Sequence, residues 1–206
     1  MKICVVGAGA IGGFLGTRLA LDAGNAVTAL ARGTTLVSLR DHGWRLRQNG
    51  ELLQAPTAAA SDDPRDLGSQ DLVILALKAQ VLPGLAPSLT PLISADTIVM
   101  PAMNGVPWWF GAGVAALATR PLESVDPGGG IAAVVPLKSV VGCVVHASAS
   151  TSEPGVTIHR MGRGLIVGEP AGGESARVAR LGETLTRAGF EVSCSPRIRY
   201  DVWYKL

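Results

Sequence analysis

The chain opens with MKICVVGAGAIGGFLGTRLALDAG, residues 1–24: an apolar run, a glycine turn and a helical pattern in immediate succession. Lys2–Val6 predicts a short buried strand, and Gly7-Ala8-Gly9-Ala10-Ile11-Gly12 fits G-x-G-x-x-G. Apolar Ile11, Leu15 and Leu19 predict an amphipathic helix ending at Gly24. Gly7 permits the tight turn, Gly9 lets backbone approach a pyrophosphate, and Gly12 lets the helix pack closely on the strand. The helix N-terminus adds free N–H groups and a positive dipole end. Strand, turn and helix in this order predict dinucleotide binding rather than a plain glycine-rich turn. A secretory signal peptide is the competing reading, but five glycines from Gly7 to Gly16 and the charge of Arg18 make a poor apolar segment.

The rest of the chain continues the pattern outward. Strand Ala26–Ala31 is followed by a helix over Thr34–Asp41, and Trp44–Gln48 and Leu52–Thr57 flank the hairpin signal Asn49-Gly50. Asp71 opens the buried strand LVILAL, a helix is predicted over Val81–Leu92, and Thr97–Met100 forms another strand. This alternation predicts a doubly wound, mostly parallel α/β sheet of the Rossmann type. Residues 107–130 read as a surface excursion, rich in Gly and Pro from Gly111 onward. Beyond it three strands, Val140–His146, Val156–Arg160 and Leu165–Gly168, predict an antiparallel extension with turns at Glu153-Pro154-Gly155 and Gly162-Arg163-Gly164. A helix over Ser175–Ala188 and a strand Phe190–Cys194 follow. Ser195-Pro196 then reads as an N-cap with proline at the first helical position.

Composition narrows the function classes. A net charge of +2 with no basic stripe argues against nucleic acid as a partner. No uninterrupted apolar run reaches membrane-span length, so a cytoplasmic location is expected. Cys4, Cys143 and Cys194 are far apart, His42, His146 and His159 do not cluster, and no metal site is expected. With 48% hydrophobic and 4% aromatic residues, the core must come from Val, Leu, Ile and Ala. A mean hydropathy of +0.33 points to apolar surface covered by a partner, a homodimer among the options, or by a further domain.

Ligands of open α/β sheets bind beyond the carboxyl ends of the strands. Arg32 follows strand two, where an acid usually holds the ribose 2′-hydroxyl, and no acid lies between Asn25 and Leu39. A guanidinium there favours NADP over NAD, the alternative being a solvated arginine. Lys78 follows LVILAL and is either a solvated strand cap or a group that holds substrate or cofactor ribose. Asn104-Gly105 is either a plain turn or part of the binding edge. Trp108-Trp109-Phe110 reads as loop packing before it reads as a substrate wall. Lys205, four residues after Asp201, reads by spacing alone as half of a surface ion pair.

In this order KICVVGAGAIGG, ALAR, LALKA, AMNG and DVWYKL resemble the ketopantoate reductase (2-dehydropantoate 2-reductase) family, over nearly the whole chain. The resemblance implies an NADP-binding Rossmann domain, here 1–194, followed by an all-helical domain of which residues 195–206 would be the first turns. It implies that Gly7, Ala8, Gly9, Ala10, Ile11 and Gly12 hold the pyrophosphate and Arg32 the 2′-phosphate. Lys78 and Asn104 would line the nicotinamide and substrate site. Lys205 would be the general acid that protonates the reduced 2-oxo group of a small-molecule substrate taking hydride from NADPH. Two departures are Met103, where the family commonly has Gln, and the longer WWF segment. A third is the absence of the helical domain, which leads to the expectation of a fragment or truncated product with weak turnover. A non-enzymatic NADP-binding sensor and a dehydrogenase of a different 2-hydroxy acid are the alternatives.

Overall fold

The computed structural model describes residues 1–117 and 121–206. Along the chain the regular elements are β1 (Lys2–Val6), α1 (Ala10–Leu21), β2 (Ala26–Leu30), α2 (Gly33–His42), β3 (Trp44–Gln48), β4 (Glu51–Ala55), β5 (Ala60–Ser61) and β6 (Leu72–Leu75). They continue as α3 (Leu82–Leu85), β7 (Ile98–Pro101), α4 (Gly130–Val134), β8 (Gly142–Glu153), β9 (Val156–Gly168), α5 (Ala176–Arg187), β10 (Glu191–Cys194) and α6 (Ile198–Lys205).

The first sheet has the order β5-β2-β1-β6-β7 with every pairing parallel. Its centre, β1 and β6, is apolar on both faces, and Ile3, Cys4, Val5, Leu72, Val73 and Ile74 are fully buried. The chain runs outward from β1 to β2 and β5, then reverses to β6 and β7. The switch point, where such sheets bind ligands, therefore lies at the carboxyl ends of β1 and β6.

The expected antiparallel extension is a second, mixed sheet, β10-β9-β3-β4, with β8 also paired to β9. It takes in the Asn49-Gly50 hairpin as well as the C-terminal strands. Asn49 and Gly50 have φ of 51° and 85°, the left-handed pair a two-residue hairpin demands. Three predicted strands become two long ones here. Gly162-Arg163-Gly164 forms no turn; β9 runs straight through it, and the pairing with β8 shifts register around His146–Ala149 instead. A bulge absorbs the irregularity without ending the strand.

Helix α1 lies between the two sheets and departs from the expected amphipathic form. Gly12, Gly13, Phe14, Leu15, Gly16, Thr17 and Leu19 are all buried. A Cβ on Gly13 would overlap Thr157 of β9, and one on Gly16 would overlap Trp44 of β3. The same glycines that weaken an apolar segment let two sheets close on one helix. The core on this side joins Phe14, Leu15 and Leu19 to Trp44, Leu46, Leu165 and Leu181.

A second core fills the other face of the parallel sheet with Leu82, Leu89, Val99, Trp108, Trp109, Val144, Ile198 and Val202. The helix expected over Val81–Leu92 is there reduced to α3 between two 3-10 stretches, because Pro83, Pro87 and Pro91 remove amide donors. The excursion expected at 107–130 is only partly superficial: Trp108 and Trp109 are buried in this core. Residues 118–120 of that excursion lie outside the described residues. Helix α6 starts at Ile198, later than the Ser195-Pro196 signal predicts, although Ser195 Oγ still accepts from Arg197 N at 3.1 Å. Its inner residues Ile198 and Val202 are buried, while Tyr200, Trp203 and Tyr204 face outward.

Candidate functional site

Strand β1 leads into Gly7, whose N–H donates to Leu30 O at 3.0 Å and whose φ of 91° only glycine adopts readily. A Cβ on Gly12 would overlap Gly7 O, so helix and turn are in direct backbone contact. Around Gly9, by contrast, a Cβ would meet nothing within 4 Å. Gly9 is the N-cap of α1 and offers no side-chain cap, so the first-turn amides of Ala10, Ile11 and Gly12 carry no side-chain partner. This is the cradle an anionic ligand requires.

In front of the turn lies a cleft of about 560 Å³. Val6, Gly7, Ala8 and Gly9 form its floor, Leu30, Ala31, Arg32 and Thr35 one wall, and Leu77, Val81 and Leu85 another. Arg32 is exposed at the end of β2. The remaining wall comes from Thr151–Gly155, the tip of the β8–β9 hairpin. The sequence shows a turn at Glu153-Pro154-Gly155 and gives no sign of where it lands. Arg45 Nη2 pins it by donating to Ser38 Oγ at 2.6 Å and to Pro154 O at 3.3 Å.

The structure brings together Asn104 and Lys205. Lys205 Nζ donates to Asn104 Oδ1 and to Val145 O, both at 2.8 Å. The surface pair with Asp201 is not formed, because Asp201 accepts from Ser195 Oγ instead. Two recesses flank the Lys205–Asn104 bridge. One, of about 310 Å³, is lined by Met103, Trp109, Cys143 and Val202; the other, of about 450 Å³, by Ile11, Ala102, His146 and Met161. Ile11, in the first turn of α1, lines the second recess together with Lys205. Trp109 thus both packs the core and walls a recess.

Burial pulls the Lys205 amine below the ordinary lysine range, with neighbouring Cys143 acting weakly the other way. Cys143 is itself pushed up to about 12 by burial, which keeps its thiol protonated. Lys78 is not gathered into this group. It is exposed at the carboxyl end of β6, and its side chain makes no hydrogen bond or ion pair among the described residues, though its neighbours Leu77 and Ala79 line the cleft and a recess. Val145 O was invisible to sequence reading, since a backbone carbonyl has no residue signature. Among the described residues there is no cluster of His, Cys, Asp and Glu placed to hold a metal ion, and no helix is long and apolar enough to cross a membrane.

A parallel sheet with its switch point at a glycine turn, a helix N-terminus over that turn and a long cleft beyond it define a Rossmann-like domain of the dinucleotide-binding class. Comparison with known proteins makes this specific. The family model described as ketopantoate reductase PanE/ApbA matches residues 3–172, and the chain belongs to this family. Along its whole length it is 39% identical to a 2-dehydropantoate 2-reductase of Mesorhizobium japonicum, of which it spans 63%. A crystal structure of a candidate ketopantoate reductase from Ralstonia solanacearum MolK2 superposes on 98% of the chain with a TM-score of 0.94 at 48% identity; the chain spans 63% of that protein. The 2-dehydropantoate 2-reductase of Porphyromonas gingivalis W83 shares the fold at a TM-score of 0.79 and 24% identity, covering all of this chain and 67% of its own.

Proposed function

We propose that the chain is the cofactor-holding portion of an NADPH-dependent 2-oxo acid reductase, with 2-dehydropantoate reduced to pantoate as the favoured reaction. The observation that carries the reading is the Lys205 amine held by Asn104 Oδ1 and Val145 O at 2.8 Å, beside Ile11 and the glycine turn. The Mesorhizobium relative's activity, by its name, supports the choice of substrate.

A bound nicotinamide supplies the hydride. The turn Gly7–Gly12 and the first-turn amides of α1 take the pyrophosphate, and the open space at Gly9 fits that load. Arg32 and Thr35 line the cleft wall and would hold the adenosine ribose, where a guanidinium suits a 2′-phosphate. As the 2-oxo carbon is reduced, negative charge grows on its oxygen, and Lys205 first stabilises that charge and then donates the proton. Asn104 Oδ1 aims the amine and leaves the Asn104 amide N–H groups for the substrate. A lowered amine pKa makes Lys205 a readier donor at neutral pH. Exposed Lys78 attracts the carboxylate of the incoming acid. Residues 1–194 are the cofactor domain in this reading, and 195–206 open a helical element that supplies the acid. The working location is the cytoplasm.

The deciding experiment is titration of the chain with NADPH and separately with NADH, followed by nicotinamide fluorescence. Saturable binding with NADPH tighter is the expected outcome; failure to bind either cofactor overturns the reading. Because Asn104 and Lys205 are exposed, turnover by this chain is expected to be slow beside its binding.

A further inference from the structure

Among the described residues, two charged side chains line the 560 Å³ cleft, Arg32 and Glu153. They enter from unrelated parts of the chain. Arg32 stands at the end of β2, where Rossmann domains that take NAD place an acid for the ribose 2′-hydroxyl. Glu153 is an acid delivered to the same cleft by the tip of the β8–β9 hairpin. We propose that Glu153 is a cofactor-specificity residue: it opposes Arg32, weakens the hold on a 2′-phosphate and offers an acceptor to a free ribose hydroxyl, so that the cleft admits both NADPH and NADH. The inference rests on the cofactor reading above.

Three features of the hairpin support a built wall rather than a loose tip. The pairing of β8 with β9 shifts register between Thr151 and Glu153, which re-aims the side chains at the end of the strand. Gly155 has a φ of 72°, and a Cβ there would overlap Ser38 Oγ, so the turn is seated directly on α2. Arg45, from β3, ties Ser38 and Pro154 O together from below. The helix whose N-cap is Arg32 is therefore the element against which the tip is pinned. Neither charge is consumed by the fold. No ion pair joins Arg32 to Glu153, and neither side chain has a hydrogen-bond partner among the described residues. The carboxylate and the guanidinium both remain available to a ligand between them.

A carboxylate near the dianionic 2′-phosphate costs affinity for NADPH and not for NADH. Removing its charge in Glu153→Gln is expected to tighten NADPH about three- to tenfold at low salt while leaving NADH unchanged or weaker. Reversing it in Glu153→Lys extends the same trend, and Arg32→Ala moves the preference toward NADH. The measurement is titration of the chain and these variants with NADPH and NADH. Displacement by adenosine 2′,5′-bisphosphate and by 5′-AMP places the effect at the 2′-phosphate. Glu51→Gln, an exposed charge on β4, serves as the control for net charge alone. An NADPH/NADH ratio that stays constant in both Glu153 variants, or that shifts equally in Glu51→Gln, overturns the role of Glu153 and leaves the cofactor reading standing. Binding of neither cofactor by the unaltered chain overturns both.

Discussion

Lys205 is the residue on which the chemistry of the proposed site turns. Its amine sits on two acceptors, is partly withdrawn from water and forms no ion pair among the described residues. Lys205→Ala is expected to slow NADPH oxidation by a 2-oxo acid about 10²- to 10⁴-fold in single-turnover assays, with NADPH affinity unchanged. Lys205→Arg keeps the charge and the hydrogen bonds but cannot give up its proton, so it should fail nearly as badly. An Arg variant with full activity would remove the general-acid role. The rate should fall as pH rises through the amine pKa, and burial sets that limb below the ordinary lysine value of 10.5. None of this is legible in the local spacing. Asp201 and Lys205 stand four apart on a helix, yet Ser195 takes the aspartate and the lysine turns to Asn104 and Val145.

At the scale of elements, the β1–α1 unit separates two jobs for glycine that one motif combines. Gly12 is a packing residue, since any Cβ runs into Gly7 O, and Gly9 is an access residue with open space around it. Gly12→Ala is expected to destabilise by about 1–3 kcal/mol, which is roughly 2–4 °C of melting temperature per kcal/mol for a chain of this size. Gly9→Ala should leave thermal unfolding almost unchanged and weaken NADPH binding. Parallel thermal melts and cofactor titrations test the separation, and equal melting losses in the two variants would refute it. Strand, turn and helix here were readable because their signals are local. The β8–β9 ribbon was not, because Gly162 and Gly164 look like a turn and become part of a strand only when β8 and β10 supply partners along β9.

At the scale of the molecule, two sheets close on α1, and the far end of β9 is tied to α5 by charge. Arg177 pairs with Glu169 and also donates to Lys138 O and Val140 O, while Ser175 Oγ donates to Glu169 Oε1 at 2.5 Å. Hydrogen bonding from Arg177 holds the Glu169 carboxyl below the usual carboxylate range. A carboxyl with a depressed folded pKa stabilises the fold above its unfolded pKa and loses that contribution as pH falls through the folded value. Arg177→Ala is expected to cost about 1–3 kcal/mol, because the Glu169 carboxylate keeps only the Ser175 hydroxyl as a donor. The variant should also move the onset of acid unfolding to higher pH than in the parent chain. Denaturant melts across the acid range measure both, and an unshifted acid limb would show the clamp to be idle. The outward aromatic face of α6 and the high mean hydropathy belong to this scale as well. Taken alone, the sequence determined the glycine cradle, the parallel strands and the Asn49-Gly50 hairpin, and through ordered motifs the family. These rest on short-range sterics and on the periods of strand and helix, which act within a few residues. Only the tertiary structure decided that Lys205 meets Asn104 and Val145, that α1 is enclosed on both sides, and that a distant hairpin lines the same cleft as Arg32 with Glu153. Such contacts join segments far apart in the chain, and they exist only once both cores have closed around them.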